Sequence, residues 1–318
     1  MPRIVSPLIS LAATVPLIGP AFAQAPAPTA VRETAAPQQP TEEMIVRGRR
    51  MSDVRDELRK YVNEFVMEIA KQPPGRGYAR WQGHVCIGVH NLQNDAAQYI
   101  VDHISRVAED VGLEPGEPGC SPQVIIIFTV DGKAMASYMV ENQRRVLRPA
   151  GGLAGMNLGV DALDAFAQSD RAVRWWHVSM PVDARIGTKA IRTADDEAAP
   201  VISVAGPSRI HSGVRDDLMY VFIIVDSKKL MGTTWQQLAD YLAVVSLAQI
   251  DPSASPAGFD SILNVFSNPA AYSGLTDWDR SYLRALYSFE QERLPRIQVN
   301  ELVGKMTRQE LEPAATSR

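Results

Sequence analysis

The hydrophobic residues of this 318-residue chain switch repeatedly between helical and strand spacing, which is typical of an α+β fold. Apolar side chains recur every three or four positions over residues 52–70 and predict a first helix. A strand with alternating apolar residues at 85–89 follows, and then a helix over 94–111. The unbroken apolar run at 124–130 predicts a strand buried on both faces. A right-handed crossover through the helix would make the two strands parallel.

The second half of the chain continues this alternation. Residues 133–170 are helical in pattern, with a Gly-rich break at 151–155 that does not follow a strand and therefore indicates a loop, not a nucleotide site. Apolar runs at 173–180 and 218–225 predict two further strands. The polar, turn-rich residues 184–214 between them predict a surface excursion.

The residues after the last of these strands resemble the active-site region of the zincin metalloproteases. In those families a strand leads into a helix carrying His-Glu-x-x-His, and a turn and a final helix ending in Leu-Tyr follow. Here the helix is Gln-Gln-Leu-Ala-Asp-Tyr-Leu-Ala-Val at 236–244, and the final helix ends in Leu-Arg-Ala-Leu-Tyr at 283–287. That ending also resembles a little-characterised secreted family of sphingomonad-type bacteria.

The resemblance covers roughly residues 84–287 and implies a zincin-like mixed sheet with a strand–helix–strand unit, a central helix and a C-terminal helix. The zinc ligands are missing from it. Gln236 and Asp240 stand at the first two ligand positions, Gln237 at the general-base position, and Ser246 at the distal third position. An amide has no basic site near neutral pH. The chain is therefore expected to have no catalytic residue in this helix, no bound metal and no cofactor.

The same residues also fit a purely structural role. Thr233 or Thr234 can cap the helix, with Gln236 or Gln237 three residues later completing a capping box. The segment Thr-Asp-Trp-Asp at 276–279 predicts a second capping box, at the start of the last helix.

The first 23 residues have the features of an export signal. One basic residue precedes an apolar stretch broken by prolines, and a small-x-small cleavage site ends at Ala23, before Gln24. Residues 24–42 are rich in Pro and Ala and predict a disordered linker. We therefore expect an exported protein, periplasmic or extracellular. No later apolar run is long enough to span a bilayer, so no transmembrane segment is predicted in the mature chain.

Residues 43–77 are expected to hold a short strand and the N-terminal helix. The first part, 42–50, resembles the short segment near the mature N-terminus of TonB-dependent outer-membrane receptors, although a short edge strand ending at Gly48 is the favoured interpretation. Residues 78–290 are predicted to form the zincin-like globular domain, and 291–318 a C-terminal tail with a short helix.

The two cysteines, Cys86 and Cys120, predict a disulfide, because an isolated pair in an oxidising compartment usually bonds; two buried free thiols are the alternative. The net charge of −4 argues against a nucleic-acid partner or an anionic membrane surface. The five histidines are interpreted as surface or hydrogen-bonded residues, and no Gly-x-Ser-x-Gly nucleophile motif is present.

Three functional hypotheses follow from the sequence. The first is a non-catalytic protein whose degenerate cleft binds a peptide or an envelope protein by strand addition. The second is an envelope hydrolase with an unrecognised active site, in which a distant His or carboxylate lies within about 4 Å of Asp240. The third is an accessory protein of TonB-dependent uptake that acts through 42–50. The oligomeric state is not predicted.

Overall fold

The computed structural model of the protein describes residues 42–73, 75–148, 158–190, 202–204 and 208–312, without the side chains of residues 42–51 and 145. The predicted signal peptide, its cleavage site between Ala23 and Gln24, and most of the predicted linker lie outside the described residues, as does the Gly-rich break. Contacts divide the chain into two units, Met1–Arg47 and Gly48–Arg318. Apart from the start of the first helix, the helices and strands named here belong to the second unit.

The described residues contain both helices and strands, which confirms the α+β class. The helices are α1 (Glu42–Ile69), α2 (Asn94–Glu109), α3 (Gly132–Asn142), α4 (Arg144–Leu147), α5 (Val160–Gln168), α6 (Trp235–Leu247), α7 (Asp277–Ser288) and α8 (Pro295–Leu311). The strands are β1 (His84–Val85), β2 (Ile87–His90), β3 (Glu114–Pro115), β4 (Val124–Thr129), β5 (Val173–Asp183) and β6 (Val214–Asp226).

Four of these strands form a mixed sheet in the order β2-β4-β6-β5. Strands β2, β4 and β6 run parallel, and β5 pairs antiparallel with β6 at one edge. The predicted parallel pair joined by a helix is β2-α2-β4, with Ile87 opposite Val124. A second, two-stranded parallel sheet pairs β1 with β3. Two of the clefts on this unit lie beside the first residues of the edge strand β5.

Helices cover both faces of the sheet. Val124 and Ile126 of β4 lie in the larger core, which they share with residues of α1, α2, α6, α7 and α8. Ile125 and Ile127 point to the other face and pack against a smaller core built with α3, α4 and α5. This burial on both faces explains why β4 has an uninterrupted apolar sequence, as predicted for a central strand.

The structure corrects the short strand expected within 43–77, because 42–50 form the first turns of α1. The physical reason lies in residue type. Glu, Met and Arg favour a helix, acidic residues at its N-terminus complement the helix dipole, and the segment contains no proline. Gly48 is tolerated inside the helix and does not end it.

The expected C-terminal tail with a short helix is also corrected. Helix α8 is 17 residues long, and Leu302, Val303 and Met306 are buried in the larger core. Two buried glutamines fasten this region to the rest of the fold: Gln291 Nε2 donates to the carbonyl of Asp216 at 2.8 Å, and Gln298 Oε1 accepts from the Tyr78 amide at 2.9 Å. The boundaries expected at 78 and 290 therefore do not separate a domain from its flanks, because residues on both sides share one core.

Two observations bear on the expected compartment. Cys86, between β1 and β2, forms a disulfide with Cys120, which confirms the predicted bridge; their Cα atoms are 6.2 Å apart. A structural disulfide of this kind is compatible with an oxidising compartment. Across the described ranges, no helix is both long and apolar enough to cross a membrane.

Candidate functional site

Helix α6, which carries the positions that resemble a zinc site, begins with a capping box. The Thr234 hydroxyl accepts a hydrogen bond from the Gln237 amide at 3.2 Å, and Gln237 Oε1 accepts from the Thr234 amide at 2.8 Å. Of the capping alternatives left open by the sequence, the structure selects this pair. Capping satisfies two amide donors that the first turn of a helix otherwise leaves unpaired.

The other end of the Gln237 side chain is equally committed. Its Nε2 donates to the carbonyl of Pro269 at 2.7 Å and also to the carbonyl of Tyr272. Gln237 is buried. The residue at the general-base position thus uses both its acceptor and its donors to hold the N-terminus of α6 against the 269–272 segment.

Replacing Gln237 by glutamate is expected to destabilise the fold by about 2–3 kcal/mol, because the partly buried carbonyl oxygens of Pro269 and Tyr272 would lose their donor and face a carboxylate. The measurement is the free energy of unfolding from urea titration at pH 7. The matched control is Gln93→Glu, an exposed position before α2 whose side chain makes no cap hydrogen bond, where a change within about 0.5 kcal/mol is expected. Equal stability of the two variants would contradict the structural role of Gln237.

Asp240 pairs with a histidine from a different helix. His103 Nε2 of α2 lies 2.6 Å from Asp240 Oδ1, and the carboxylate is almost fully buried. The His103 ring also stacks on Tyr99, with ring centroids 6.0 Å apart. A hydrogen-bonded imidazole and carboxylate can hold and move a proton. The sequence raised a His near Asp240 as a possibility without identifying His103, which is 137 positions away.

The chain at 269–274 covers the face of α6 that presents these positions. A Cβ added at Gly274 would lie 2.6 Å from Asp240 Oδ2 and 2.9 Å from Gln236 Nε2, so the backbone approaches as closely as only glycine permits. Gln236, Gln237 and Asp240 are therefore brought together around one covering segment. Ser246 is fully buried and lies about 9 Å along the helix axis from Asp240. The backbone carbonyl of Ser246 accepts a hydrogen bond from Trp81 Nε1 at 2.8 Å.

The described residues contain no group of three or more His, Cys, Asp or Glu side chains placed to hold a metal ion. The His103–Asp240 pair supplies two such side chains, and its neighbour Gln236 supplies an amide, which is a poor zinc ligand.

Two neighbouring clefts lie beside the first residues of the edge strand β5. The first, cleft A, has a volume of about 440 Å³ and lies between α5 and residues 251–253, with Phe166 and Trp175 among its apolar walls. The second, cleft B, of about 340 Å³, is lined by Tyr241 and by 253–257. Arg171 and Ser253 line both clefts, so the two are adjacent.

Cleft A has an unusual electrostatic feature in Arg174. This residue is 2% exposed, and its Nε and Nη1 atoms are buried without a hydrogen-bond partner among the residues that the structure describes. Nη2 donates to the carbonyl of Arg171 at 3.3 Å. Burial lowers the pKa of the Arg174 guanidinium, while the nearby Asp226 carboxylate acts in the opposite direction.

Cleft B is formed around an aromatic cluster centred on Tyr241 of α6. The Tyr241 ring packs edge-to-face against Trp175 and Phe266, with centroids 6.0 and 4.9 Å away. Burial raises the pKa of the Tyr241 hydroxyl above its ordinary value, so the group is a neutral donor at physiological pH. Neither cleft was predicted from the sequence, because their walls come from segments far apart in the chain.

Helix α6 is also tied to the edge strand by a buried histidine that gives the fold a pH dependence. His177 Nε2 donates to the carbonyl of Val245 at 2.9 Å, and burial lowers the pKa of His177 to about 4. The unfolded chain takes up this proton near pH 6.5, whereas the folded chain does so only near pH 4. Stability from this group is therefore complete above pH 6.5 and is lost as the pH falls toward 4.

We expect this histidine to lower the free energy of unfolding by about 2 kcal/mol at pH 5 relative to pH 7.5. Carboxylates also titrate in this range, so the measurement is the difference between the wild type and His177→Gln, which keeps an amide donor for Val245 and cannot be protonated. Parallel stability–pH curves for the two proteins would show that His177 has no such effect.

The comparisons with known proteins give no family for this chain. No family model, no curated protein and no solved structure matches it.

Proposed function

We propose that this protein is exported, has no catalytic role for helix α6, and binds an extended peptide or protein segment in clefts A and B. The observation that carries the proposal is the complete engagement of Gln237. The Gln237 side chain, at the position that resembles a general base, hydrogen-bonds three backbone groups and so has a structural role. An amide has no basic site, but these contacts stabilise the N-terminus of α6.

The zincin-like interpretation is supported by the order of elements around α6. Strand β6 ends at Asp226, and a single 3-10 turn, Ser227–Lys229, separates it from the short loop before α6. The final helix of the resemblance is α7, which carries Tyr287; its hydroxyl donates to the carbonyl of Leu247 at the end of α6, at 2.7 Å. The disulfide between Cys86 and Cys120 supports export.

An extended ligand is favoured by the position of the clefts along β5. At the far end of this strand, Val182 already pairs with Lys189 on the side away from β6. The clefts lie at the opposite end, beside residues 171–175. Residues 173–175 of β5 are themselves buried, so the ligand would lie in the two adjacent clefts, whose pockets select its side chains.

The test is retention of a casein chymotryptic digest, whose peptides end mostly in aromatic residues or Leu, by the mature protein, residues 24–318, measured by ultrafiltration and mass spectrometry. We expect a subset of peptides to be retained and recovered intact, with or without added zinc. Ala165→Trp, an exposed position that lines cleft A, should reduce retention at least tenfold. Ala134→Trp, an equally exposed alanine on α3, should leave retention unchanged. Zinc-dependent hydrolysis of the peptides, or no retention at all, would overturn the proposal.

A hydrolase is the second candidate, and the His103–Asp240 pair is the observation that favours it. Neither cleft A nor cleft B is lined by these two residues, which places the pair away from the proposed ligand. The discriminating measurement is turnover of nitrophenyl esters and peptide nitroanilides by wild type and His103→Gln. Turnover that falls at least a hundredfold in the variant would establish the hydrolase and displace the binding proposal.

A further inference from the structure

Arg174 is the feature of cleft A that its apolar walls do not explain. A buried guanidinium with two nitrogen atoms unpaired is costly, because each has lost its hydrogen bonds to water without replacement. Such groups are rare in folded proteins and call for a specific reason. Arg174 lines a cleft of ligand size, so a ligand that supplies the missing acceptors is that reason.

The nearest carboxylates of the protein do not supply those acceptors. Asp226 acts on Arg174 electrostatically, but its oxygens accept from the amides of Gly132 at 3.1 Å and Lys228 at 3.2 Å. Asp251, on the wall of cleft A, pairs with Lys71 at 3.0 Å. The exposed Asp170 pairs with Lys229 across the outside of the fold.

The remaining charges of cleft A specify the ligand. Arg171 is exposed at the boundary with cleft B, where one guanidinium nitrogen donates to the carbonyl of Ala254 at 3.2 Å. With Lys71 neutralised by Asp251, the two arginines exceed the one remaining acidic residue, Asp161, by a single charge. The lining of cleft A is therefore net basic by one charge and attracts an anionic group, while Asp226, outside the lining, offsets part of the charge at Arg174. A guanidinium forms charge-assisted hydrogen bonds with a carboxylate, and Arg174 has two nitrogen atoms, Nε and Nη1, without an acceptor among the described residues.

We infer that cleft A binds the free C-terminal carboxylate of a peptide whose last side chain is apolar. The carboxylate is held by Arg174 and Arg171, and the last side chain packs against Phe166 and Trp175. The preceding residues pass Arg171 and Ser253 into cleft B. There the Tyr241 hydroxyl, which makes no hydrogen bond within the described residues, donates to a peptide carbonyl. This inference rests on the proposed function and names its substrate class.

A free apolar carboxylic acid offers the same chemistry as a peptide terminus, but it would fill cleft A alone. The continuity of the two clefts favours the peptide. The experiment therefore uses three probes: a pool of N-acetylated hexapeptides ending in Leu, Phe or Val with a free carboxylate, the same pool amidated, and 4-phenylbutyrate. Each is tested by ultrafiltration with mass spectrometry against the mature protein at 20–50 mM salt.

We expect at least tenfold greater retention of the free-acid pool than of the amidated pool. The preference should disappear in Arg174→Gln and in Arg171→Gln and persist in Arg106→Gln, a position on α2 outside both clefts. Arg171 is exposed, so its variant decides the result if Arg174→Gln fails to fold. Equal retention of the two pools would overturn the inference and leave peptide binding intact, whereas retention of neither would overturn both. Binding of 4-phenylbutyrate as tight as that of the peptides would replace the peptide with a small acid.

Discussion

Replacing Asp279 by alanine is expected to lower the free energy of unfolding by about 4 kcal/mol. This carboxylate is 1% exposed at the start of α7, within the capping box predicted from the sequence. Oδ1 accepts from the Ser261 hydroxyl at 2.6 Å, and Oδ2 accepts from the amides of Ile262 at 2.8 Å and Thr276 at 3.2 Å. Alanine would leave these buried donors without acceptors and would remove the Asp279 half of the capping box, while the Thr276 hydroxyl would still accept from the amide of residue 279.

The matched control is Asp277→Ala, in the same helical turn. Asp277 is exposed and acts on α7 mainly through the helix dipole, so its loss should cost about 0.3–1 kcal/mol. Both values come from urea unfolding followed by circular dichroism at pH 7. If the two variants lose equal stability, the buried contacts of Asp279 contribute nothing beyond a surface charge near a helix end.

Asp279 and Gln237 show which parts of the structure were predictable from the sequence. A capping box is a local pattern: its partners are three residues apart, and the hydrogen bonds follow once the helix forms. The parallel pair β2-β4 was predicted in the same way, because a helix of ordinary length between two apolar runs leaves few alternative topologies. The disulfide followed from the cysteine count.

The parts that were missed depend on contacts between distant segments. His103 meets Asp240 only because α2 and α6 pack on the same face of the sheet. Gln298 is a polar residue in a helix that looks like a surface tail, and its burial depends on partners at 78 and 291. Arg174 lies in an apolar strand, and its sequence neighbours do not indicate that the Nε and Nη1 atoms of its guanidinium lack acceptors among the described residues. Periodicity identifies elements but does not identify which of them meet.

Clefts A and B could not be predicted from the sequence for the same reason, and they change the interpretation of α6. The sequence resemblance to zincins placed the candidate site at Gln236, Gln237 and Asp240. In the fold, those residues face the covering segment at 269–274, while Tyr241, one position further along α6, lines cleft B. The candidate functional side of α6 is therefore the one that carries Tyr241 and lines cleft B. The side that carries Gln236, Gln237 and Asp240 is covered by 269–274.

Removing the disulfide with the double substitution Cys86→Ala and Cys120→Ala is expected to lower the free energy of unfolding by about 3–4 kcal/mol. The bridge joins residues 34 positions apart and encloses β2, α2 and β3 in one loop. On the chain-entropy model, the link acts by restricting the unfolded chain, so the native contacts of this loop should survive its loss. The measurement is urea unfolding of the mature protein, compared with the wild type after reduction by dithiothreitol.

The reduced wild type separates the link from the packing of the sulfur atoms. A Cβ at Gly116 would lie 2.5 Å from Cys120 Sγ, so the bridge is closely packed and the alanines also remove buried contacts. If loop closure dominates, the reduced wild type and the double variant should lose similar stability, and α2 should keep its hydrogen-exchange protection in both. A reduced protein as stable as the oxidised one would contradict the prediction. It would mean that the unfolded chain is already restricted between residues 86 and 120 without a covalent link.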